Sequence, residues 1–348
     1  MASKRNASMS DIAKRVGTSV AAVSVTLNGA KSTTLRVSDD TRKRIFEVAE
    51  ELRYKRNPMA GALATGRTQV LGLMLPSQDA YAAHDPFYSL VTTGVTACAS
   101  THGYNVMLYS ATSEEEGDRA ASMIDKRVDG LVLVSPPKGT PIFAECQRQG
   151  IPVASILGEP EEGPLQIRSD DYQGGLIATR YLVSLGHRRI AHLKGREHIA
   201  TTQPRLQGYL DALKEAGIAP ESEWVVPGDF NRETGRESTV QLLRRANRPT
   251  AIFAANDLSA HGALEAIRDE GLKVPGDVAV LGYDDTWYAT VTRPALTSVR
   301  MHIEELGRRA ADLLIRHLEG EAPTRDTEII VPVSLTIRES CGGKAISM

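Results

Sequence analysis

From Gln69 onward, short apolar runs alternate with segments that carry a helical pattern, and this alternation restricts the fold more than any other feature. Val70 to Pro76 reads VLGLMLP, a continuous apolar run typical of parallel strands that are buried on both faces. Residues 105–111, 129–136 and 151–157 repeat this character, and helical stretches separate them. Strand, helix and strand in this order predict an open parallel sheet with helices on both faces.

The second half of the chain shows the same alternation of apolar runs and helical segments. Strands are predicted over 188–195, 250–257 and 278–285, and helices over 170–185, 203–216, 233–245, 258–270 and 303–318. Residues 328–340 are predicted to form a final pair of strands. Two such halves, joined by a crossover near residues 155–170, predict a two-lobed α/β body.

Residues 9–28 form a shorter unit of a different kind. Ser10 can cap a first helix, Gly17 ends it, and Thr18 or Ser19 can cap a second helix. Two helices across a turn that contains glycine are typical of the helix-turn-helix, whose second helix can lie in the DNA major groove. An ordinary αα-hairpin has the same pattern, so this stretch alone leaves both interpretations open.

The following segments favour the DNA-binding interpretation. Ser38 can cap a third helix that runs to about Leu52. The N-terminus of the lactose-repressor/galactose-repressor (LacI/GalR) family of bacterial transcription regulators is similar in four stretches: DIAKRVGTS, AVSVTLNG, VSDDTRKRI and YKRNPMAGAL. The α/β body likewise resembles the periplasmic-binding-protein-like effector domain of that family.

The resemblance implies a small all-α helix-turn-helix head followed by a two-lobed, doubly wound parallel-sheet effector domain. Its parts would be a DNA-binding domain over 1–56, a hinge helix and linker over 57–68, and an effector-binding and dimerisation domain over 69–341. The charge distribution fits this division. Residues 1–68 hold 13 Lys and Arg against 6 Asp and Glu, a net charge of +7, whereas the remainder holds 28 against 37, a net charge of −9.

The cysteines and the hydropathy pattern predict a reducing compartment. Cys98, Cys146 and Cys341 are odd in number and lack metal-like spacing, so we expect buried free thiols rather than disulfides or a zinc site. The sequence contains no apolar run of membrane-spanning length, and its N-terminus has no apolar signal region. We therefore expect a cytoplasmic protein without a membrane partner.

Residues of the head and hinge would contact DNA if the resemblance holds. The family's base-reading positions fall on Val20, Ala21 and Val25, where apolar side chains allow contact with thymine methyl groups but no bidentate hydrogen bonds. Residues 57–64 resemble the hinge helix, in which Leu63 would be an apolar wedge in the minor groove. The alternatives are a core role for Val25 and a plain linker over 57–64. The expected DNA contacts are Ser19, Val20, Ala21, Ser24, Val25, Asn28, Arg36, Asn57, Ala60 and Leu63.

The resemblance also places an effector in the cleft between the two lobes. Arg205 can grip a carboxylate or vicinal hydroxyls, and an Asp beside an Asn or Arg is typical of sites for hydroxyl-rich ligands such as sugars. Asp257 and Asp285 are interpreted as helix caps or packing residues. The expected effector contacts are Asp85, Phe87, Ser135, Arg205, Phe230, Asn256 and Asp284.

These observations predict a homodimeric regulator that binds operator DNA as a repressor and responds to a small-molecule effector, a sugar or related polyol. No cofactor, metal or catalytic residue is expected, and the segment CGGKAISM is too short for a tetramerising heptad helix. One alternative is a solute-binding protein of a transport system, without a DNA role. Another is an enzyme on the same body, but the sequence contains no Walker A, G-x-G-x-x-G, G-x-S-x-G or H-E-x-x-H motif.

DNA binding should be strongly salt-dependent and should reside in residues 1–68, because the basic head releases counterions from each phosphate that it neutralises. We expect the association constant to fall by at least about tenfold between about 50 and 200 mM salt. Fluorescence anisotropy over a salt series measures the slope. An association constant that does not change across the series would contradict the prediction.

Overall fold

The computed structural model describes residues 7–28, 36–55, 61–62, 66–76, 85–110, 126–159, 165–321 and 328–342. Contacts divide the chain into two units between Thr68 and Gln69. The helices are α1 (Met9–Val16), α2 (Val20–Asn28), α3 (Asp39–Glu51), α4 (Pro86–Thr101), α5 (Pro141–Gln149), α6 (Asp171–Ser184), α7 (Thr202–Glu215), α8 (Arg232–Leu243), α9 (Asp257–Asp269), α10 (Tyr288–Val291) and α11 (Ile303–Leu318). The strands are β1 (Val70–Leu75), β2 (Asn105–Ser110), β3 (Gly130–Val134), β4 (Val153–Ile156), β5 (Leu165–Ser169), β6 (Ile190–Lys194), β7 (Val225–Pro227), β8 (Ala251–Ala254), β9 (Ala279–Asp284), β10 (Thr297–Arg300), β11 (Glu328–Val331) and β12 (Ser334–Thr336).

The first unit packs α1, α2 and α3 around a small apolar core that includes Ile12, Val23 and Ile45. The cap of α1 is Ser8, so the prediction of Ser10 was wrong. The Ser8 hydroxyl accepts from the Asp11 amide at 3.3 Å, and the Asp11 carboxylate accepts from the Ser8 amide at 2.8 Å. This reciprocal capping box satisfies two amide groups and starts the helix at Met9, before Ser10.

The turn and the caps of the other head helices follow the sequence prediction. Gly17 ends α1 with a φ of 78°, a left-handed conformation that glycine adopts at little cost. The Ser19 hydroxyl accepts from the amide of Ala22 at 3.1 Å, and the Ser38 hydroxyl accepts from the amide of Thr41 at 3.3 Å. The head is therefore three capped helices, with α1 and α2 joined by a tight turn.

The second unit contains two six-stranded sheets, which define its two lobes. The first sheet has the order β11-β5-β4-β3-β1-β2, and all of its strand pairs are parallel. The second has the order β12-β10-β9-β8-β6-β7, and only the β12–β10 pair is antiparallel. The predicted fold class, a helical head followed by two parallel-sheet α/β lobes, is confirmed.

The crossover predicted near residues 155–170 is present after β5, but it is not the only connection between the lobes. The chain passes between the sheets three times: after β5, after β10 and after β11. Two strands form within residues 328–340, as predicted, but they do not pair with each other. Here β11 extends the first sheet beside β5, whereas β12 extends the second sheet beside β10. Each short strand gains its hydrogen bonds from an existing sheet edge rather than from its neighbour in sequence.

Helix α11 belongs to the first lobe, although its position in the sequence suggested the second. It packs against α4, β3, β4 and β5. Two glycines permit this close crossing: a Cβ on Gly94 would lie 2.0 Å from the carbonyl oxygen of Glu304, and one on Gly307 would lie 2.3 Å from that of Val91. The helical stretch predicted between the runs 105–111 and 129–136 lies mostly outside the described residues.

The three cysteines Cys98, Cys146 and Cys341 are buried and form no disulfide, as expected. No described helix has the length and apolar character needed to cross a membrane.

The core of the second lobe contains one fully buried histidine, His192, on β6. Its Nδ1 donates to the carbonyl oxygen of Phe253 at 2.9 Å, and its ring stacks between Tyr209 and Phe253. Burial lowers the pKa of His192 to about 4, although the hydrogen bond to Phe253 opposes the shift. The folded protein therefore keeps this imidazole neutral at pH values where the unfolded chain would protonate it.

The stability contributed by a neutral His192 should be present above about pH 6.5 and should decrease as the pH falls toward 4, because protonation then favours the unfolded chain. We expect this site to lower the free energy of unfolding by about 2 kcal/mol between pH 7 and pH 5. Urea titrations of wild type and His192→Gln measure the difference. The control, His198→Gln, changes an exposed histidine of the same lobe. Equal pH dependence in all three proteins would contradict the prediction.

Candidate functional site: the interlobe cleft and the head

The two lobes enclose a cleft at the carboxyl ends of their parallel strands. Its volume is about 710 Å³, part of which is open to solvent. Ligand sites in open parallel sheets lie at these strand ends. The cleft is lined by all seven residues that the sequence suggested for the effector: Asp85, Phe87, Ser135, Arg205, Phe230, Asn256 and Asp284.

Arg205, on the first turn of α7, is the most deeply buried cation at the cleft. Its Nε donates to the Asp171 carboxylate at 2.7 Å, and one Nη donates to the carbonyl oxygen of Ala255. The guanidinium also stacks on Tyr283, with 3.7 Å between Cζ and the ring centroid. Burial alone would lower the pKa of Arg205, but Asp171, Tyr283 and Asp284 together raise it above its ordinary value. The side chain is therefore held rigid and charged.

Asp284, at the end of β9, has a buried carboxylate that accepts no hydrogen bond from the described residues. Its φ of 103° is strained for a residue other than glycine. Burial raises the pKa of Asp284 well above its usual range; Arg205 opposes the shift, while Asp257 and Asp85 add to it. An unsatisfied, strained carboxylate in a cleft is the kind of group that a ligand with donors can complete.

Asn256 caps α9 and faces the cleft at the same time. Its Oδ1 accepts from the amide and the hydroxyl of Ser259, at 2.9 and 2.7 Å. Its Nδ2 donates to the carbonyl oxygen of Phe230 at 3.0 Å, which joins two loops of the second lobe. One amide hydrogen of Asn256 therefore remains for a ligand.

The neighbouring acids have structural partners, in line with the sequence interpretation. Asp257 accepts from the amide of Thr286 at 2.7 Å and from the hydroxyl of Ser298 at 2.6 Å. Asp285 forms ion pairs with Arg300 and Arg338, both at 2.6 Å. Asp257, Asp284 and Asp285 lie at the same end of the second lobe. Because Asp257 and Asp285 have protein partners, Asp284 is the carboxylate that is left for a ligand.

Backbone strain is concentrated at the same place. Ser135, Leu157, Phe230 and Asp284 line the cleft, and all four have φ angles between 47° and 103°. Residues other than glycine rarely adopt this conformation, and it persists where the surrounding structure imposes it, commonly at ligand sites. The strain supports the assignment of the cleft as the functional cavity of the second unit.

The head presents one face of α2 to solvent. Val20 is 48% exposed and Ala21 is also exposed, whereas Ser24 and Val25 are half-buried and Val23 is in the core. Arg36 is exposed just before α3, and Ser19 serves as the cap of α2. Asn28 is the last residue of α2. The expected contacts Asn57, Ala60 and Leu63 lie outside the described residues.

Comparison with known proteins identifies both units. Residues 8–57 match the family described as bacterial regulatory proteins, lacI family, and residues 179–341 match a periplasmic binding protein-like domain. The HTH-type transcriptional regulator CelR of Thermobifida fusca is 33% identical over 344 residues, which cover 98% of this chain and 100% of CelR. The chain belongs to the LacI family.

Other members support the same conclusion. The HTH-type transcriptional repressor PurR of Erwinia tasmaniensis is 32% identical, over 97% of this chain and 98% of PurR. The structure of a CelR–cellobiose complex covers 96% of this chain and 99% of its own, at 32% identity and a TM-score of 0.74. A lac repressor dimer bound to operator and an anti-inducer covers 97% and 99%, at 26% identity and a TM-score of 0.82.

Membership of the LacI family settles the class of function. The protein is a DNA-binding transcription regulator with a periplasmic-binding-protein-like ligand domain, and it is not an enzyme, because its relatives are regulators. A transport protein without a DNA role is not favoured, because the head matches the DNA-binding domain of these regulators. The roles of individual DNA and effector contacts stay predictions.

Sequence reasoning missed several residues that line the cleft. Tyr88 and Asn231 directly follow the expected Phe87 and Phe230, so adjacency was a usable signal. Arg196 follows β6, and the carboxyl end of that strand could have indicated it. Met301 lies where the chain leaves the second lobe, and the sequence contained no signal for it.

Truncation of Arg205 should destabilise the protein, because it leaves the buried Asp171 carboxylate without its cation. We expect Arg205→Ala to lower the free energy of unfolding by about 3–5 kcal/mol, and the double variant Arg205→Ala/Asp171→Ala to lose less than the two single variants combined. Arg180→Ala is the control, since it breaks a half-exposed pair with Glu215 and should cost less than about 1 kcal/mol. Similar urea midpoints for Arg205→Ala and Arg180→Ala would contradict the prediction.

Proposed function

We propose that this LacI-family regulator is a homodimeric repressor whose operator affinity is controlled by a sugar or related polyol bound in the interlobe cleft. The observation that carries the proposal is the unpartnered carboxylate of Asp284 beside the remaining donors of Arg205 and Asn256. Carboxylate, guanidinium and amide groups together suit vicinal hydroxyls, each of which both donates and accepts. The apolar faces of Phe87 and Phe230 suit the CH surface of a sugar ring.

Named complexes of relatives support a sugar as the effector. The CelR structure contains cellobiose. A LacI-family regulator of Enterococcus faecium, 26% identical with a TM-score of 0.68 and covering 78% of this chain and 98% of its own, was solved with bound ribose. Since the cleft of this chain offers hydroxyl-binding groups from both lobes, we infer the same broad class of ligand.

We propose that the protein consists of three functional parts: a DNA-binding head over 1–56, a hinge over 57–68 and an effector domain over 69–341. The exposed apolar positions Val20 and Ala21 favour contacts with thymine methyl groups, so direct base recognition from α2 would be limited. More sequence discrimination would then come from Leu63 in the minor groove and from the deformability of the central base step. We infer that a regulator that binds operator DNA in this way acts in the cytoplasm.

A homodimer is proposed as the functional assembly. On the second lobe, Trp287 and Val291 are 55% and 52% exposed, and Trp287 stacks on Tyr288 with ring centroids 4.1 Å apart. Exposed aromatic and aliphatic side chains in one short segment are typical of surfaces that a partner covers. A second copy of the chain would also match the two-fold symmetry of a palindromic operator.

The effector response should depend on Asp284 and operator binding should not. We expect a specific sugar to release the wild-type protein from operator DNA, and Asp284→Ala to raise the sugar concentration needed by at least about tenfold, since it removes a buried hydrogen-bonding carboxyl group. Gel shifts on genomic fragments with a panel of mono- and disaccharides measure both quantities. Asp211→Ala is the control because Asp211 hydrogen-bonds Tyr172 and Gln207 away from the cleft lining. Release by nucleobases or amino acids but by no sugar would contradict the proposal.

A further inference from the structure

We propose that Asp171 sets the charge class of the effector: by neutralising Arg205 it makes the cleft select an uncharged, hydroxyl-rich ligand and reject anions such as phosphorylated sugars. This inference rests on the proposed effector role of the cleft and makes it more specific. Asp171 does not line the cleft. It is a positioning and specificity-determining residue that acts through Arg205.

Both carboxylate oxygens of Asp171 accept hydrogen bonds from other residues of the protein. It is the first residue of α6, where the chain enters the second lobe after its first crossover, and only 6% of it is exposed. Its Oδ1 accepts from Arg205 Nε at 2.7 Å and from the Tyr283 hydroxyl at 3.2 Å. Its Oδ2 accepts from the Ser169 hydroxyl at 2.6 Å. These three hydrogen bonds hold the carboxylate against the guanidinium.

Arg205 consequently offers hydrogen-bond donors without an excess of charge. A guanidinium has five N–H groups. One donates to Asp171, one to the carbonyl oxygen of Ala255, and one lies 3.6 Å from the sulfur of Met301. Two remain uncommitted among the described residues. They suffice for ligand hydroxyl oxygens, whereas an anion would need a positive charge that Asp171 has already offset.

The other charged residues of the cleft do not restore a positive balance. Asp85, Asp284, Arg196 and Arg205 line it, so the lining has no net charge when all four are ionised. With Asp171 behind Arg205, the local sum becomes −1. An anionic group that reached Arg205 would also lie near Asp284, which is close enough to Arg205 for their charges to interact.

Protonation of Asp284 does not change this conclusion. Burial raises the pKa of Asp284 well above its usual range. If the carboxyl group is protonated, the cleft is neutral and Asp284 both donates to and accepts from a hydroxyl group. If it is ionised, it repels an anion directly. An uncharged polyol therefore fits both protonation states, whereas an anion meets an excess of positive charge in neither.

Close packing of α6 and α7 holds the backbones of Asp171 and Arg205 next to each other. A Cβ on Gly174 would lie 2.1 Å from the Tyr283 hydroxyl, and one on Gly175 would lie 2.2 Å from the carbonyl oxygen of Arg205. Gly175 thus brings α6 against the backbone of Arg205 on α7, and Gly174 leaves room for Tyr283, whose hydroxyl donates to Asp171. The charge of the effector that the cleft accepts therefore depends on the fixed positions of Asp171 and Arg205.

The test measures anion binding to the full-length protein with inorganic phosphate and glucose 6-phosphate, against potassium chloride at equal ionic strength. For wild type we expect no saturable rise in the thermal midpoint. Asp171→Asn keeps an oxygen acceptor for Arg205 Nε but removes the charge. We expect it to bind phosphate at least about tenfold more tightly than wild type, the factor that one charge-assisted hydrogen bond contributes.

Asp211→Asn is the matched control, because it removes one carboxylate from the same pair of helices outside the cleft lining. Equal phosphate affinities for Asp171→Asn and Asp211→Asn would overturn the inference. Saturable phosphate binding by wild type that Arg205→Lys abolishes would also overturn it. If Asp171→Asn does not fold, Asp171→Ser removes the same charge, and a phosphate affinity equal to that of Asp211→Asn again overturns the inference. These measurements use no DNA, so they can fail while sugar-dependent operator release succeeds, and the reverse.

Discussion

The ion pair between Arg205 and Asp171 is the interaction on which the functional part of the second unit depends. Both side chains are almost fully buried, and their atoms are 2.7 Å apart. A buried pair of this kind contributes little net stability, because desolvation of the two charges offsets most of their attraction. Its importance is positional. Asp171 lies where the chain enters the second lobe, and Arg205 lies in the cleft. A ligand bound to Arg205 would therefore lie close to a segment that connects the two lobes.

The alternation of strands and helices was enough to predict two α/β lobes, because strands buried on both faces and amphipathic helices have distinct sequence patterns. The connections between the lobes were not predictable in the same way. The strand β5 reads LQIRS, which lacks a continuous apolar run, and β11 and β12 are separated by two residues. Only pairing with distant sheet edges assigns such short strands to a lobe. The local sequence pattern does not indicate which of the two sheets a short strand joins.

The candidate site was predictable where a motif marks a strand end and unpredictable where a role depends on a distant partner. Arg205, Asn256 and Asp284 each stand in a recognisable stretch of the sequence. Asp171 has no such marker: its neighbour Asp170 looks equivalent, yet Asp170 caps α6 through the amide of Gln173, while Asp171 binds a guanidinium 34 residues away. Adjacent residues at a helix start point in different directions, and only the packing of α6 on α7 decides which one faces Arg205.

The strained and unsatisfied groups of the cleft explain how binding of a small molecule could change the arrangement of the lobes. Asp284 accepts no side-chain hydrogen bond from the described residues, and four lining residues hold backbone conformations with positive φ, so these groups carry a free-energy cost. A ligand that completes Asp284 removes part of this cost within the second lobe alone. It changes the preferred separation of the lobes only if it also touches the first lobe, where Asp85 and Ser135 line the cleft. Contacts to both lobes, and not affinity for either, are what couples an effector to conformation, because a ligand shifts an equilibrium only by its difference in affinity for the two states.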